Sequence, residues 1–381
     1  PVYAFPFFLD ADRTDDGGLV ARLHQDGFTT VLRLPFRPGV DREHVAAHLV
    51  DNLVPRLLLF LGSMAELELA GSEGDFVASV ARSDLEECQE VLLQHDDEIE
   101  HWLVFRDEIA VDPEVVAPLG DAWSVVEAVH VAVAVPLDAA GRPDASTSHP
   151  LHVYFPTEER TGFPFVVQGD FALQLDRRQV ASSPETDPYN RMLLDRAAGL
   201  IGRVAEALAL RFPGQGCVAS VMAQRSSPTG HGETFTELAV EALRRARYLP
   251  GCDGEPRMPV EALLLPAAVE DPGRLHRHLH LRDVGRLLHP DVERDAKARS
   301  FLVERMEVQE WELEDAAAQL HPPPIEEVTD FYEALLDWSE ALRGHRLAPA
   351  LAAVPFVRTA EGRWAAPGNE RVFFPRRRDD V

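Results

Sequence analysis

LHVYFPTEERTGFPFVVQGDFALQLDRRQVASSPETDPYNR, residues 151–191, decides how this chain is organised. Its apolar run reads as a buried strand and is followed by a paired-arginine loop, Arg177 and Arg178. A guanidinium is always charged and presents a rigid fork of donors, so arginines fixed at the end of a buried strand suit the gripping of a phosphate. Asn190 then opens a helix in which Leu193, Ala197, Leu200, Ile201, Val204 and Leu208 share one face, ending before Pro213. That apolar stripe is expected to pack on the sheet that the strand belongs to.

Working outward, Val129, Val131, Val133 and Val135 alternate with His130, Ala132 and Ala134, which predicts a strand covered on both faces. Leu151, Val153 and Phe155 continue the sheet, and DAAGRPDASTSHP between the two reads as an exposed hairpin loop. Ser83-Asp84-Leu85-Glu86 has the capping-box form that opens a helix. Leu49, Leu53, Leu57, Phe60 and Leu61 repeat at helical spacing, with a break expected at Pro55. Thr30, Leu32 and Leu34 alternate as in a strand. Beyond a Gly/Pro/Ser-rich boundary at 212–232, helices are expected over Thr236–Tyr248 and Val328–Leu342, with the breaker HPPP at 321–324 between them. Short strands close the chain, with turns at Glu361-Gly362 and Pro367-Gly368-Asn369.

The order FPT, TGFPF, GDFAL, DRR and then Asn190 resembles the repeating unit of sacsin and its bacterial relatives, GHKL-type ATPases related to the ninety-kilodalton heat-shock chaperone. Asp26–Pro35 likewise resembles the closing strand of a GHKL nucleotide-binding fold. The resemblance implies an α/β (α+β) chain in three parts: 1–40, the end of a GHKL ATPase domain; 41–215, a middle-domain-like mixed sheet with packed helices; and 232–381, a mainly helical region with a small β element. It places ATP and Mg2+ chiefly in a domain upstream of Pro1, with Thr29 and Thr30 at the edge of the nucleotide site. It makes Arg177 the arginine that reaches the terminal phosphate, with Arg178 its neighbour. In the chaperone class a second polar partner follows four residues later, where this chain has Ala181. The implied function is ATP-driven conformational cycling with remodelling of protein clients, in an assembly that admits a homodimer. The alternative is a protein-interaction scaffold with a decayed ATPase.

Composition narrows the field. A formal net charge of −27 repels nucleic-acid phosphates, and the Arg376-Arg377-Arg378 run is followed at once by two aspartates. A DNA-processing GHKL enzyme is disfavoured on the same ground. Cys88, Cys217 and Cys252 show no CxxC spacing, so neither a zinc site nor a disulfide framework follows. The longest apolar run, near Leu57–Leu61, is far short of the ~20 residues that span a bilayer. A cytoplasmic protein is expected. Other constellations have plainer readings: His276, His278 and His280 as a solvated helix, His95–His101 as a charged turn, and Ser226, Ser227, His231 and Glu233 as a polar loop without a nucleophile elbow. Trp311, Trp338 and Trp364 read as core anchors.

Overall fold

The computed structural model describes residues 54–69, 76–123, 125–265, 284–311, 328–341 and 361–368, with isolated positions elsewhere. Thr29 and Thr30 with the rest of 26–35, His276, His278 and His280, and Arg376–Arg378 lie outside the described residues. The chain divides into two compact units, 1–53 with 69–75 and 54–68 with 76–381. In the first, Arg22 donates its backbone N–H to Gly18 O at 3.1 Å. All that follows concerns the second.

Its frame is a mixed eight-stranded sheet of β1 (Glu66–Leu69), β2 (Phe76–Asp84), β3 (Gln89–His95), β4 (Glu98–Ala110), β5 (Ala128–Leu137), β6 (Pro150–Val153), β7 (Phe155–Arg160) and β8 (Val166–Gly169). The spatial order is β1-β2-β3-β4-β5-β8-β6-β7. Neighbours from β2 to β5, and β5 with β8, are antiparallel, whereas β6 runs parallel to β8 with Leu151 opposite Val167. The alternation in β5 has the expected meaning. Val131, Val133 and Val135 are sealed on one face, and Ala132 and Ala134 are buried on the other, where a small side chain lets neighbouring elements come close.

The described helices are α1 (Pro113–Val116), α2 (Asp187–Arg211), α3 (Cys217–Val221), α4 (His231–Arg245), α5 (Pro290–Arg294), α6 (Ala296–Glu304) and α7 (Val328–Ala341). α2 buries the stripe Leu193, Ala197, Leu200, Ile201, Val204 and Leu208 against the sheet, each leucine, isoleucine and valine contributing about 1.5–3 kcal/mol of apolar transfer. α4 lies along α2, close enough that a Cβ on Gly202 would meet Ala242 O at 3.5 Å. Phe163 stacks on Phe165 at 4.9 Å and meets Phe235 of α4 and Phe301 of α6 edge-on at 6.2 and 6.1 Å. One core therefore runs through both sides of the 212–232 segment, which was expected to separate domains.

Several local expectations change. Residues 138–149 do not form a hairpin loop, because β8 inserts between β5 and β6. The connection folds on itself instead, Asp138 taking the N–H groups of Ala140 and Arg142. Residues 83–86 end a strand rather than open a helix. Leu85 N–H bonds Cys88 O at 2.8 Å, and the residues beyond alternate in burial with period two, so strand pairing wins over the cap. Leu151–Phe155 is broken by a turn at Tyr154, whose φ is +60°, and Phe155 emerges 58% exposed. Pro55 opens a 3-10 turn over Pro55–Leu59, as its lack of an N–H favours. Trp102 is sealed and Trp311 and Trp364 are only half-buried, while the side chain of Trp338 lies outside the described residues.

Candidate functional site

The paired arginines sit at the tip of a hairpin between β8 and α2. Phe163, Phe165, Val166 and Val167 are fully buried, which anchors the entering strand. Asp170 marks the exit: its N–H bonds His130 O at 3.1 Å, its carboxylate takes the His130 N–H at 2.8 Å, and its carbonyl takes the Tyr189 hydroxyl at 2.7 Å. The hairpin closes through Ala181 N–H to Ala172 O at 2.8 Å and Gln174 N–H to Gln179 O at 2.9 Å, with Leu173 bridged to Val180. Arg177 N–H then returns to Gln174 O at 2.9 Å.

Asn190 fixes this hairpin to α2. It was expected to cap the helix, but it lies within the first turn, 1% exposed, and bonds the base of the hairpin instead. Its Oδ1 accepts Ala172 N–H at 2.8 Å, and its Nδ2 donates to Ala172 O at 3.2 Å and Ala181 O at 2.9 Å. An asparagine carries both donors and an acceptor on one planar group, which is what bracketing two strands requires. Ala181 thus serves through its carbonyl.

The tip behaves differently from the base. Residues 174–179 are exposed, Leu175 at 92%. Arg177 has φ +59°, a left-handed conformation that a long L side chain adopts at a cost of order 1 kcal/mol and that clusters at functional sites. Among the described residues Arg177 makes no ion pair. Arg178 does, to Glu158 at 3.2 Å, and its carbonyl accepts the Glu158 N–H at 2.8 Å, tying the hairpin to the outer strand β7. The two guanidinium groups are therefore unequal: Arg178 is engaged within the protein and Arg177 is free to meet an anion.

The other candidates resolve as structure. Glu159 on β7 is buried beneath the N-terminus of α4, where it accepts His231 N–H at 3.3 Å and lies 3.2 Å from His231 Nδ1. That bond raises the His231 pKa above its ordinary value, against the opposing effect of burial. Ser226 Oγ lies 3.2 Å from Ser148 Oγ, so neither Ser226 nor His231 forms a nucleophile–base pair. His95 ends β3 at a tight turn through Asp96 and contacts Val77 O at 3.1 Å. Among the described residues no group of three or more His, Cys, Asp or Glu could hold a metal ion, and no helix is long and apolar enough to cross a membrane. None of the three cysteines forms a disulfide.

The sequence named the arginines but not what distinguishes them. Glu158 and Glu159, adjacent on a strand, point to opposite faces and take different partners, one exposed and one buried. Only the spacing EER before TGFPF hinted that the outer strand is charged. No family model, curated protein or solved structure matches this chain.

Proposed function

We propose that this chain is the middle segment of a sacsin-like GHKL ATPase, in which Arg177 reaches the terminal phosphate of ATP bound in a preceding domain. The observation that carries this reading is the contrast within one hairpin: an exposed arginine that makes no ion pair among the described residues stands on a base that Asn190 locks into the core. Charge grows on the transferred phosphoryl oxygens, and a rigidly held cation from a second domain stabilises it only when the domains close. ATP supplies the free energy, and hydrolysis is thereby coupled to the movement that remodels a client protein. The fit is to the phosphate end alone, since among the described residues no carboxylate cluster is suited to Mg2+. Metal and adenine belong to the upstream domain in this reading.

Two measurements test it. In a protein that joins the GHKL nucleotide domain to this chain, Arg177→Ala leaves nucleotide affinity nearly intact and lowers single-turnover hydrolysis by roughly 10²-fold. Normal turnover in that variant removes Arg177 from the active site. Calorimetry of the 381-residue chain with ATP and Mg2+ is expected to show no sub-micromolar binding. Tight binding there would place the pocket within this chain.

A further inference from the structure

Away from the arginine hairpin, three arginines from separate segments converge on one open concavity of about 500 Å3. Arg247 follows α4, Arg257 lies on the short strand Pro256–Arg257, and Arg286 ends the 3-10 turn Val284–Arg286. Val260 and Glu261, from the 3-10 turn Pro259–Glu261, complete the lining. Like charges repel, and this chain has 64 acidic residues against 37 lysines and arginines, so three cations gathered with a single carboxylate in the lining run against its composition.

The bonds on each guanidinium show what is left over. Arg257 donates Nε to Gly285 O at 3.0 Å, and Arg286 donates Nε to Glu261 O at 3.2 Å. Both side chains are thus aimed by main-chain carbonyls, which fix a direction without cancelling a charge. Arg257 also pairs with Asp253, and Arg247 pairs with Glu261 through Nη2 at 2.6 Å. Glu206 takes the Arg247 main-chain N–H at 3.0 Å and does not line the concavity. Among the described residues Arg286 makes no ion pair and neither of its Nη groups has a partner, while Arg247 keeps Nε and Nη1 unused. The three arginines set against Glu261 and Asp253 leave one net positive charge, with its donors already in place.

We propose that this concavity binds a phosphate monoester group. Such a group carries about 1.5 to 2 negative charges at pH 7 and three strong acceptor oxygens, enough to engage the fork of Arg286 and the unused edge of Arg247 together. A carboxylate has less to offer: Glu261 gives one oxygen to Arg247 and the other to the Met258 N–H at 3.1 Å. A cationic ligand would meet three guanidinium groups. The net charge of −27 does not prevent binding, because at physiological salt charges beyond about 8 Å are largely screened and the arginines in contact decide. Val260, 76% exposed, offers an apolar contact to the body that carries the phosphate. This site stands independently of the proposed ATPase role.

The test uses the 381-residue chain and blocked Gly-phosphoserine-Gly, Gly-Ser-Gly and Gly-Glu-Gly peptides, titrated by NMR or calorimetry, with ethyl phosphate as a free small-molecule probe. The phosphoserine peptide is expected to bind at least about tenfold more tightly than either other peptide. Arg286→Ala should keep the melting temperature of the parent chain, since it breaks no ion pair among the described residues, and should weaken binding about fivefold or more. Arg286→Lys keeps the charge and loses the fork, so it should weaken binding by less. Tighter binding of the peptide than of ethyl phosphate supports the site with a polypeptide as the source of the phosphate; equal binding supports it with a small phosphomonoester as the source. Equal binding of the serine peptide, preference for the glutamate peptide, no binding of either phosphate, or unchanged binding in Arg286→Ala overturns the proposal.

Discussion

The connection that enters α2, residues 170–186, and the one that leaves it, residues 212–230, are both rich in small and polar residues, and the protein uses them in opposite ways. The first is fixed at its base by Asn190 and exposes its tip from Gln174 to Gln179. The second folds inward: Val218, Ala219, Val221, Met222 and Ala223 are sealed around α3, and Arg225 is held beneath the sheet–helix core. Glycine, proline and serine report the backbone angles a segment needs, not whether water reaches it. What decides exposure here is the apolar content between the breakers. CVASVMA supplies a buried helical turn, whereas LQLDRRQ supplies charge.

The largest expected effect is in the buried connection. Asp295 binds Arg225 through both carboxylate oxygens at 2.8 and 2.6 Å, accepts the Ser220 hydroxyl at 2.6 Å, and caps α6 through Lys297 N–H and Ala298 N–H, each at 3.1 Å. Burial opposes its ionisation, yet these bonds overcome it and hold its pKa down to about 2. Asp295→Ala leaves the Arg225 guanidinium without a counter-charge, which costs about 3 kcal/mol or more, with the lost cap adding about 1 kcal/mol. Urea denaturation measures the loss. A change under about 1 kcal/mol would show that the leaving connection is as loose as its composition.

The sequence made the strongly periodic elements legible. β5 and the apolar face of α2 could be read because Val and Leu recur at spacings of two and of three to four, and each spacing has one structural meaning. It did not disclose that β8 slides between β5 and β6, since strand order rests on pairings distant in sequence that leave no local mark. The 212–232 boundary misled for a related reason: Phe235 and Phe301 bury themselves on Phe163 across it. Of the candidate site, the arginine pair was visible. Its asymmetry depends on Glu158, which carries no recognisable spacing relative to it.

Acid acts first on histidines that lie outside both connections. His149 and His152 are held to pKa values of about 4 by burial, with neighbouring positive charge adding to it. The unfolded chain takes up these protons near pH 6.5, but the folded chain does so only near 4. Stability is therefore fully present above pH 6.5 and falls between there and 4, by about 1.4 kcal/mol per pH unit for each histidine within that window. His231 acts in the opposite sense. Its raised pKa contributes stability that is full below 6.5 and is lost as pH rises through its folded value. The Asp295 anchor survives until pH approaches 2, so melting curves at pH 7, 6 and 5 should track the histidines. His152→Phe should flatten the slope, and an unchanged slope in that variant would move the acid-sensitive step elsewhere.

In the entering connection the expected effect is smaller and has a second readout. Asn190→Ala removes three hydrogen bonds and strands the buried N–H of Ala172, whose carbonyl keeps the Ala181 N–H, a cost of about 2 kcal/mol. It should also let the hairpin base open, so that trypsin cuts after Arg177 and Arg178 faster than in the parent chain while Arg225 stays protected. Equal acceleration at both places would mean global destabilisation, and the contrast between the two connections would then fail.

The smallest effect compares two arginines, one from each connection. Arg225 is 11% exposed in its side chain and bonds Asp295, whereas Arg178 is 69% exposed and meets a Glu158 that is itself 55% exposed. Water screens the exposed pair and both long side chains lose freedom to make it, so a median value of about 0–1 kcal/mol applies. Arg178→Ala also leaves intact the Glu158 N–H to Arg178 carbonyl bond that ties the hairpin to β7, because that link is main-chain. The expected loss is at most about 0.5 kcal/mol, and a double-mutant cycle with Glu158→Ala should give a coupling within the same range. A coupling above about 1.5 kcal/mol would show that the tip is held as firmly as the base, and Arg177 would then be presented by a rigid strand pair and not by a turn with room to move.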